Sequence, residues 1–471
     1  MALESKLCKA ALHQHGKATI HTLSHAVSTS YRTARTREEE LAIPSPGVFD
    51  FDQHTWHPRG DAHRLPTVAA CAAHLQLLEV LYVLRQKILV SEDIDRAMGI
   101  APNREEKVGH HGDRKTLKDG TLWSRRQKKW SKFVEFAAVR FLAWRRVLER
   151  RPDRMAVETD DGYVLVHVPP LDVIMVWHSF MLNPRLFSQT CKDGLLYKIR
   201  MPWKAIHDAI GSREWTFGLG SVAEAQFEAN VGVPADLFDQ FSSWMKQDDP
   251  RALGLTRFVL SADENSLDAV VSAASTGELI PAKYTTLFRS VDAKLAVALR
   301  DAVERQAEFV DKMNAHMWIR SPALEGTIRR GVDRYGKFLD LLRLYDGTTI
   351  VPTLDIDLVW HTHQCAAAFY ARGMRAIVGR FVNHDDTIVK EQLGTGFDLS
   401  QRLFQVHFGR QYRLCGCWDC EALLSALEDA ARLDAGEVDM GAVARRAREE
   451  VTYYRAVEVA RRAKKPLPLR S

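Results

Sequence analysis

Apolar residues recur at helical spacing over most of the chain. Leucines follow this spacing between residues 75 and 84, and the apolar stretch 68–84 around them predicts a buried helix. Residues 163–168 include three β-branched valines and predict a short strand, whereas the polar, glycine-containing residues 101–122 predict an exposed loop. Further helices are predicted over 123–150, 234–246, 266–274, 284–317, 325–345, 353–377 and 421–463. We therefore expect a mainly α-helical fold with few short strands.

One short stretch of sequence occurs twice. Residues 169–187 read PPLDVIMVWHSFMLNPRLF and residues 352–370 read PTLDIDLVWHTHQCAAAFY. At a constant offset of 183 they share Pro169/Pro352, Leu171/Leu354, Asp172/Asp355, Val176/Val359, Trp177/Trp360 and His178/His361. A self-match of this kind predicts a duplicated structural unit, an LD-x4-WH helix.

The match continues upstream of each LD-x4-WH helix. Arg140 and Trp144 correspond to Arg334 and Phe338, again on an apolar-periodic helix. The Arg-to-Asp distance is 32 residues in the first copy and 21 in the second, so the first copy has a longer connection. We expect two related helical halves built on this duplicated unit. The predicted boundaries are a leader at 1–60, half one at 61–250, half two at 251–425 and a basic C-terminal helix and tail at 426–471.

The residues shared by the two copies have a structural interpretation. A proline precedes each helix, and the aspartate then lies in the first turn, where a carboxylate caps free N–H groups. A buried tryptophan contributes a large apolar area and needs a partner for its N–H. The predicted structural motif is Asp172, Trp177, His178, Asp355, Trp360 and His361. In a helix that begins near Thr353, Leu354, Leu358, His361 and Cys365 share one face.

The second copy is chemically richer than the first. It has Asp357 and His363 where the first copy has Ile174 and Phe180, and Asp357 shares a helix face with His361. An H-x-D string begins at His384 and invites comparison with the two-histidine, one-carboxylate site of non-haem iron oxygenases. This alternative is a metal-dependent enzyme with a site in the second half. Its metal ligands are His361, His363, His384 and Asp386.

Two features argue against the oxygenase. Histidines two residues apart point to opposite sides of a helix, so His361 and His363 meet one metal only at a helix end or after distortion. The chain also lacks the run of strands that a double-sheet barrel needs.

Three cysteines crowd into six residues. In a chain expected to be cytosolic, Cys415, Cys417 and Cys420 indicate Zn²⁺ binding or reactive thiols more than a structural disulfide, and unliganded buried cysteines are the plain alternative. A closed tetrahedral site needs a fourth ligand, and the candidates are His407, Cys365 and the residues of the turn at 384–386, with His407 taken as the predicted ligand. Zinc is therefore the candidate cofactor.

The positive charge of the chain is concentrated in two segments, and the remainder of the chain is net negative, so that the total is +5. Residues 103–132 have ten basic residues against four acidic ones, and residues 442–471 have nine against three, so each carries a net charge of +6. The first also contains Trp123 and Trp130, and this mixture is typical of single-stranded nucleic-acid binding as well as of a solvated helix. No secretory signal or membrane span is predicted, so a cytoplasmic or nuclear protein is expected.

Four motifs, VPTLDIDLVWHTHQ, VWHSFMLNPRLF, GRFVNHDD and the CGC at Cys415, together resemble the glycine-rich domain-containing protein-like family, fungal-type members above all. The match covers roughly residues 60–420. The resemblance implies a domain without a defined biochemical role, to which some plant members add glycine-rich or RNA-binding segments. Here the 27 glycines are scattered, so a glycine-rich tail is not expected.

Taken together, these patterns predict an intracellular helical binding or regulatory protein, with a protein as its first expected partner. Whether it is an enzyme stays open from the sequence, with the balance against catalysis. No nucleotide-binding, hydrolase or zincin motif occurs.

Overall fold

The computed structural model describes residues 31–36, 39–52, 64–97, 99–103, 105–108, 114–117, 119–159, 162–246, 287, 290–385, 390–432 and 439–470. Most of the predicted leader and the predicted helix at 266–274 lie outside these residues. The described helices are α1 Val68–Val90, α2 Glu92–Ala97, α3 Leu122–Arg150, α4 Pro152–Met155, α5 Leu171–Met181, α6 Pro184–Cys191, α7 Leu195–Lys198, α8 Trp203–Asp208, α9 Ser221–Val231, α10 Leu237–Lys246, α11 Ala293–His316, α12 Leu324–Leu344, α13 Leu354–Gln364, α14 Ala367–Ile377, α15 Lys390–Phe408, α16 Trp418–Arg432 and α17 Met440–Arg462.

Strands are few and short in the described part of the chain. They pair as three separate two-stranded sheets, β1 Glu105–Val108 with β2 Arg114–Leu117, β3 Ala156–Thr159 with β4 Gly162–Leu165, and β5 Ile210–Gly211 with β6 Thr216–Phe217. The mainly α-helical prediction is confirmed. The exposed loop predicted at 101–122 was wrong in part, because it contains the β1–β2 hairpin.

The chain forms two compact units. Unit 1 comprises Met1–Glu79, Arg200–Thr216 and Phe309–Ser471, and unit 2 comprises Val80–Ile199 and Phe217–Glu308. Within unit 2, α3 packs against α5, and within unit 1, α12 packs against α13. Each of these helix pairs contains one LD-x4-WH helix. The predicted duplication and domain boundaries stay predictions.

Helix α1 extends six residues beyond the apolar stretch seen in the sequence. It is the one described helix that is long and apolar enough, by length and composition alone, to cross a membrane. However, 72% of its most apolar window is buried inside the structure. This burial is typical of the core helix of a globular unit.

Candidate functional site

Helix α13 carries the second LD-x4-WH sequence and begins where the sequence predicts. Thr353 is its N-cap residue, and Asp355 and Asp357 lie in its first turn. From Ile356 onwards nearly every side chain of the helix is buried. Polar groups on this helix are therefore held away from water and need partners within the protein.

The carboxylate of Asp355 is bound by an arginine of the preceding helix. Arg334 Nε donates to Asp355 Oδ2 at 2.6 Å, and a second guanidinium nitrogen donates to the carbonyl oxygen of Tyr412, also at 2.6 Å. The position of this aspartate in the sequence predicts helix capping, and the sequence predicts no role for the arginine. The aligned pair Arg140/Arg334 was the signal that could have revealed it.

Unit 2 contains the same arrangement. Arg140 Nε donates to Asp172 Oδ2 at 2.7 Å, and other nitrogens of this guanidinium donate to the carbonyl oxygens of Pro234 and Ala235, both at 2.7 Å. Burial raises the pKa of Asp172, and Arg140 opposes that rise. In both units the LD aspartate thus joins its helix to an arginine, which also binds a later segment of backbone.

The tryptophans of the two copies each pack on an aromatic ring of the partner helix. The ring centroids lie 5.7 Å apart for Trp144 and Trp177, and 5.3 Å apart for Phe338 and Trp360. These contacts join the residues that the repeat analysis aligned. They fit the structural role predicted for the shared tryptophans.

Trp360 also positions the segment that follows α14. Its indole Nε1 donates to the Tyr370 hydroxyl at 2.9 Å, and that hydroxyl donates to the carbonyl oxygen of Val382 at 2.9 Å. Two residues later, the ring of His384 packs edge-on against the Trp360 ring, with centroids 4.9 Å apart. The tryptophan therefore holds His384 beside helix α13.

Three potential metal ligands converge at this point. His361 Nε2 lies 3.1 Å from His384 Nε2, and Asp357 Oδ1 lies 3.3 Å from the first nitrogen and 3.6 Å from the second. The side chain of His361 is 2% exposed, that of His384 10% and that of Asp357 22%. We call these residues the Asp-His-His cluster. It is buried, with solvent access mainly at the carboxylate.

The electrostatics of the cluster favour an ionised carboxylate. Burial acts to raise the pKa of Asp357, but the neighbouring imidazoles of His361 and His384 and the ammonium of Lys312 outweigh it, so the pKa lies below its usual range. The ring of Phe309 covers His361, with centroids 4.4 Å apart.

The structure brings together only part of the metal set predicted for an enzyme. His361 and His384 meet, whereas His363 lies on another side of α13 and its Nδ1 is 2.9 Å from the Tyr335 hydroxyl. Burial lowers the pKa of His363 to about 4. Asp386 lies outside the described residues. Asp357 provides the carboxylate instead, and the signal was its position one helical turn before His361.

The three cysteines predicted as zinc ligands also converge. The sulfur atoms of Cys415, Cys417 and Cys420 all lie within 4.8 Å of one another. A hydrogen bond with Cys415, together with burial, raises the pKa of the Cys417 thiol to about 12. His407 is not part of this group, and its Nε2 lies 2.6 Å from the Tyr345 hydroxyl.

Many basic residues of the two charged segments are occupied by acidic partners. In the first segment, Arg126 and Lys129 bind Asp95, and the Lys129 side chain is fully buried. In the second, Arg461 and Arg462 bind Glu458. Trp123 is 46% exposed, whereas Trp130 is buried. The charge available to a nucleic acid on these described residues is therefore smaller than the sequence suggests.

Comparison with known proteins gives relatives by sequence. Residues 280–373, which include α12 and α13, match the family described as glycine-rich domain-containing protein-like. The chain is 34% identical to glycine-rich domain-containing protein 2 and 26% identical to glycine-rich domain-containing protein 1, both of Arabidopsis thaliana, in each case over 258 residues. Each alignment covers 53% of this chain and 26% of the relative, so the chain spans about a quarter of their length. No solved structure matches the chain.

Proposed function

We propose that the chain belongs to the glycine-rich domain-containing protein-like family, whose model matches residues 280–373, and that it is a helical binding module that holds a divalent transition-metal ion. The ligands are Asp357, His361 and His384. The convergence of one carboxylate oxygen and two imidazole nitrogens is the observation that carries the proposal. Its metal is of the Zn²⁺ or Fe²⁺ class, which imidazole and carboxylate ligands suit together.

The distances within the Asp-His-His cluster fit a shared ion. With bonds of about 2.1 Å, ligand atoms lie about 3.0 Å apart at right angles and about 3.4 Å apart at tetrahedral angles. The observed separations of 3.1 and 3.3 Å lie within this range, and the third, 3.6 Å, is slightly longer. Ion pairs and hydrogen bonds among the three side chains give the same separations, so metal content is the measurement that distinguishes the two arrangements.

The surroundings of the cluster also favour a bound ion. Burying a carboxylate beside two imidazoles is costly unless the charge is compensated, and a cation at the centre compensates it. The rings of Trp360 and Phe309 hold the two histidines in place, as the supporting residues of metal sites do. Asp357 is the most exposed of the three ligands, with 22% of its side chain accessible.

The first LD-x4-WH helix lacks this site. The position that corresponds to Asp357 is Ile174, which is fully buried in unit 2. His178 is buried as well, without the carboxylate one helical turn before it. We therefore assign metal binding to the second copy alone, and packing to the motif that both copies share.

A metal-dependent enzyme is the competing function for the same residues, since three protein ligands leave a coordination position open. An enzyme also needs an open pocket at the metal. A described surface pocket lies in unit 2, is lined by Trp144, His167 and Phe227 among others, and includes none of the three ligands. We propose that a partner or small ligand binds at the open position. We also propose that the protein works in a reducing, intracellular compartment, because the three clustered thiols would stay reduced there.

Elemental mass spectrometry on protein purified without a histidine tag tests the proposal. Asp357→Asn and His384→Ala should each lose one equivalent of metal relative to the parent protein. Asp386→Asn and His407→Ala are matched controls and should keep the full complement. If Asp357→Asn and His384→Ala retain the parent's metal content, the cluster is a hydrogen-bonded group and the proposal is wrong. Loss on Asp386→Asn alone would instead support the carboxylate predicted from the sequence.

A further inference from the structure

The three-cysteine turn lies at the C-terminal end of α11, and two indole hydrogen bonds join the two segments. Trp318 Nε1 donates to the carbonyl oxygen of Gly416 at 2.7 Å, and Trp418 Nε1 donates to the carbonyl oxygen of His316 at 3.1 Å. Both tryptophans are buried. The turn between Cys415 and Cys417 is therefore held in a fixed position against His316.

The imidazole of His316 lies directly against this turn. A Cβ atom added to Gly416 would be 3.4 Å from His316 Cε1 and 3.5 Å from His316 Nδ1. Gly416 has a φ of +68°, a left-handed conformation that glycine adopts without strain. Because it has no side chain there, the histidine ring reaches the residue between two of the cysteines.

We propose that Cys415, Cys417, Cys420 and His316 form a second metal site, a tetrahedral Zn²⁺ site that is separate from the Asp-His-His cluster. Three thiolates and one imidazole are an established ligand set for structural zinc, with sulfur atoms about 3.8 Å apart when bonds are about 2.3 Å. The three sulfurs already lie within 4.8 Å of one another, and His316, which is not part of that group, would complete the site by turning its imidazole toward them.

The choice of His316 replaces the fourth ligand predicted from the sequence. His407 Nε2 lies at hydrogen-bonding distance from the Tyr345 hydroxyl, whereas the His316 imidazole lies against Gly416, the residue between Cys415 and Cys417. His316 is 99 residues away from Cys415 in sequence, so spacing alone could not identify it. With zinc bound, the site would fasten the end of α11 to the start of α16, because Cys420 lies in the first turn of that helix.

Cobalt substitution separates this site from the Asp-His-His cluster. Thiolate ligands give Co²⁺ an intense near-ultraviolet charge-transfer absorption that nitrogen and oxygen ligands do not give. Titration of metal-free full-length protein should produce this absorption at one equivalent, and Asp357→Asn should leave it unchanged. Cys420→Ser should reduce it. If the parent protein shows no thiolate absorption, the cysteine site is wrong whatever the outcome at the other cluster.

A pair of histidine variants tests the fourth ligand. His316→Ala should weaken Zn²⁺ binding, measured by competition with a chelator, by more than the roughly 10- to 100-fold that supporting residues contribute. It should also change the visible bands of the Co²⁺ form, which report the coordination shell. His407→Ala should change neither. The reverse pattern, a loss with His407→Ala and none with His316→Ala, would overturn the assignment of His316.

A variant that merely misfolds would mimic a loss of binding, so a chemical readout is added. In the folded parent protein, Zn²⁺ should protect the three cysteines from alkylation, as measured by mass spectrometry of peptides. Cys191 is buried in unit 2 and serves as an internal reference for folding, since it should stay unmodified in every folded sample. Equal alkylation of the three cysteines with and without Zn²⁺ would count against the site.

Discussion

The guanidinium of Arg334 binds the carboxylate of Asp355 from 21 residues earlier in the chain, with Nε and Oδ2 2.6 Å apart. The same guanidinium reaches the hydroxyl of Thr353 at 3.0 Å and the carbonyl oxygen of Tyr412. One side chain therefore connects α12, the N-terminal end of α13 and the segment before the cysteine turn. In unit 2, Arg140 binds Asp172 in the same manner.

Removing this guanidinium should destabilise unit 1. Arg334 and Asp355 are 7% and 16% exposed, and breaking a largely buried pair leaves an uncompensated charge. We expect Arg334→Ala to lower the free energy of unfolding by about 3 kcal/mol, measured by chemical denaturation. Arg343→Ala, in an exposed pair with Asp340, should change it by less than about 0.5 kcal/mol. Equal effects of the two substitutions would contradict the role of Arg334.

Several helices were predictable because their signals are local, but the single helix predicted over 353–377 was wrong, since the chain forms α13 and α14 there with a break at residues 365–366. The spacing of apolar residues marked α3 and α12 to within about two residues at each end, and Pro352 with Thr353 marked the start of α13. The long helix predicted at 421–463 corresponds to α16 and α17, with residues 433–438 between them outside the described part.

The sites were harder to predict because their residues are distant in sequence. Asp357 and His361 are one helical turn apart, so their proximity could be read from spacing, but His384 reaches them only because of the contacts of Trp360 and Tyr370. His316 reaches the cysteines only because α11 ends beside Gly416. Such contacts depend on tertiary packing, which a spacing argument within one helix does not include.

Zn²⁺ should raise the thermal stability of the parent protein through the Asp-His-His cluster. A ligand that binds only the folded state contributes about 2.7 kcal/mol at a free concentration 100-fold above its Kd. We expect a Tm increase on adding Zn²⁺ to metal-free protein and a smaller increase for His384→Ala. The control is Mg²⁺ at the same concentration, since two imidazoles are poor Mg²⁺ ligands. An increase of equal size in His384→Ala would show that the ion acts elsewhere.

Part of the first basic segment should contribute to stability more than to binding nucleic acid. Lys129 Nζ lies 2.6 Å from Asp95 Oδ1 and donates to the carbonyl oxygen of Ser91 at 2.9 Å. Because the lysine is fully buried, Lys129→Ala should cost about 3 kcal/mol in the free energy of unfolding. Its exposed neighbour Lys128 is the matched control, and Lys128→Ala should cost little.

The nucleic-acid hypothesis is then tested on exposed residues only. Fluorescence anisotropy with a single-stranded oligonucleotide at two salt concentrations should show whether Lys128→Ala weakens a salt-dependent interaction. The control is a variant that removes one exposed positive charge outside residues 103–132. If this control weakens oligonucleotide binding as much as Lys128→Ala does, the attraction is general and the first basic segment is not a specific binding site.

Glu458 should make the stability of unit 1 depend on pH in the acidic range. Its carboxylate accepts hydrogen bonds from Arg461 at 2.7 Å and Arg462 at 2.6 Å, and Arg320 Nε lies 3.4 Å away. Burial acts to raise the pKa of Glu458, but these three arginines outweigh it and hold the pKa below its usual range.

The sign of the pH effect follows from this lowered pKa. In the unfolded chain the pKa of Glu458 is about 4.3, and in the folded protein it is lower. The stabilisation is therefore complete above that value and is lost as the pH falls through the folded-state pKa. The difference in unfolding free energy between the parent protein and Glu458→Gln should be about 3 kcal/mol at neutral pH and should shrink below about pH 4.

Glu325→Gln is the control, because Glu325 is 60% exposed in its pair with Arg329 and should show no such pH-dependent difference. A Glu458→Gln difference that stays constant between pH 7 and pH 3.5 would mean that the carboxylate charge does not contribute.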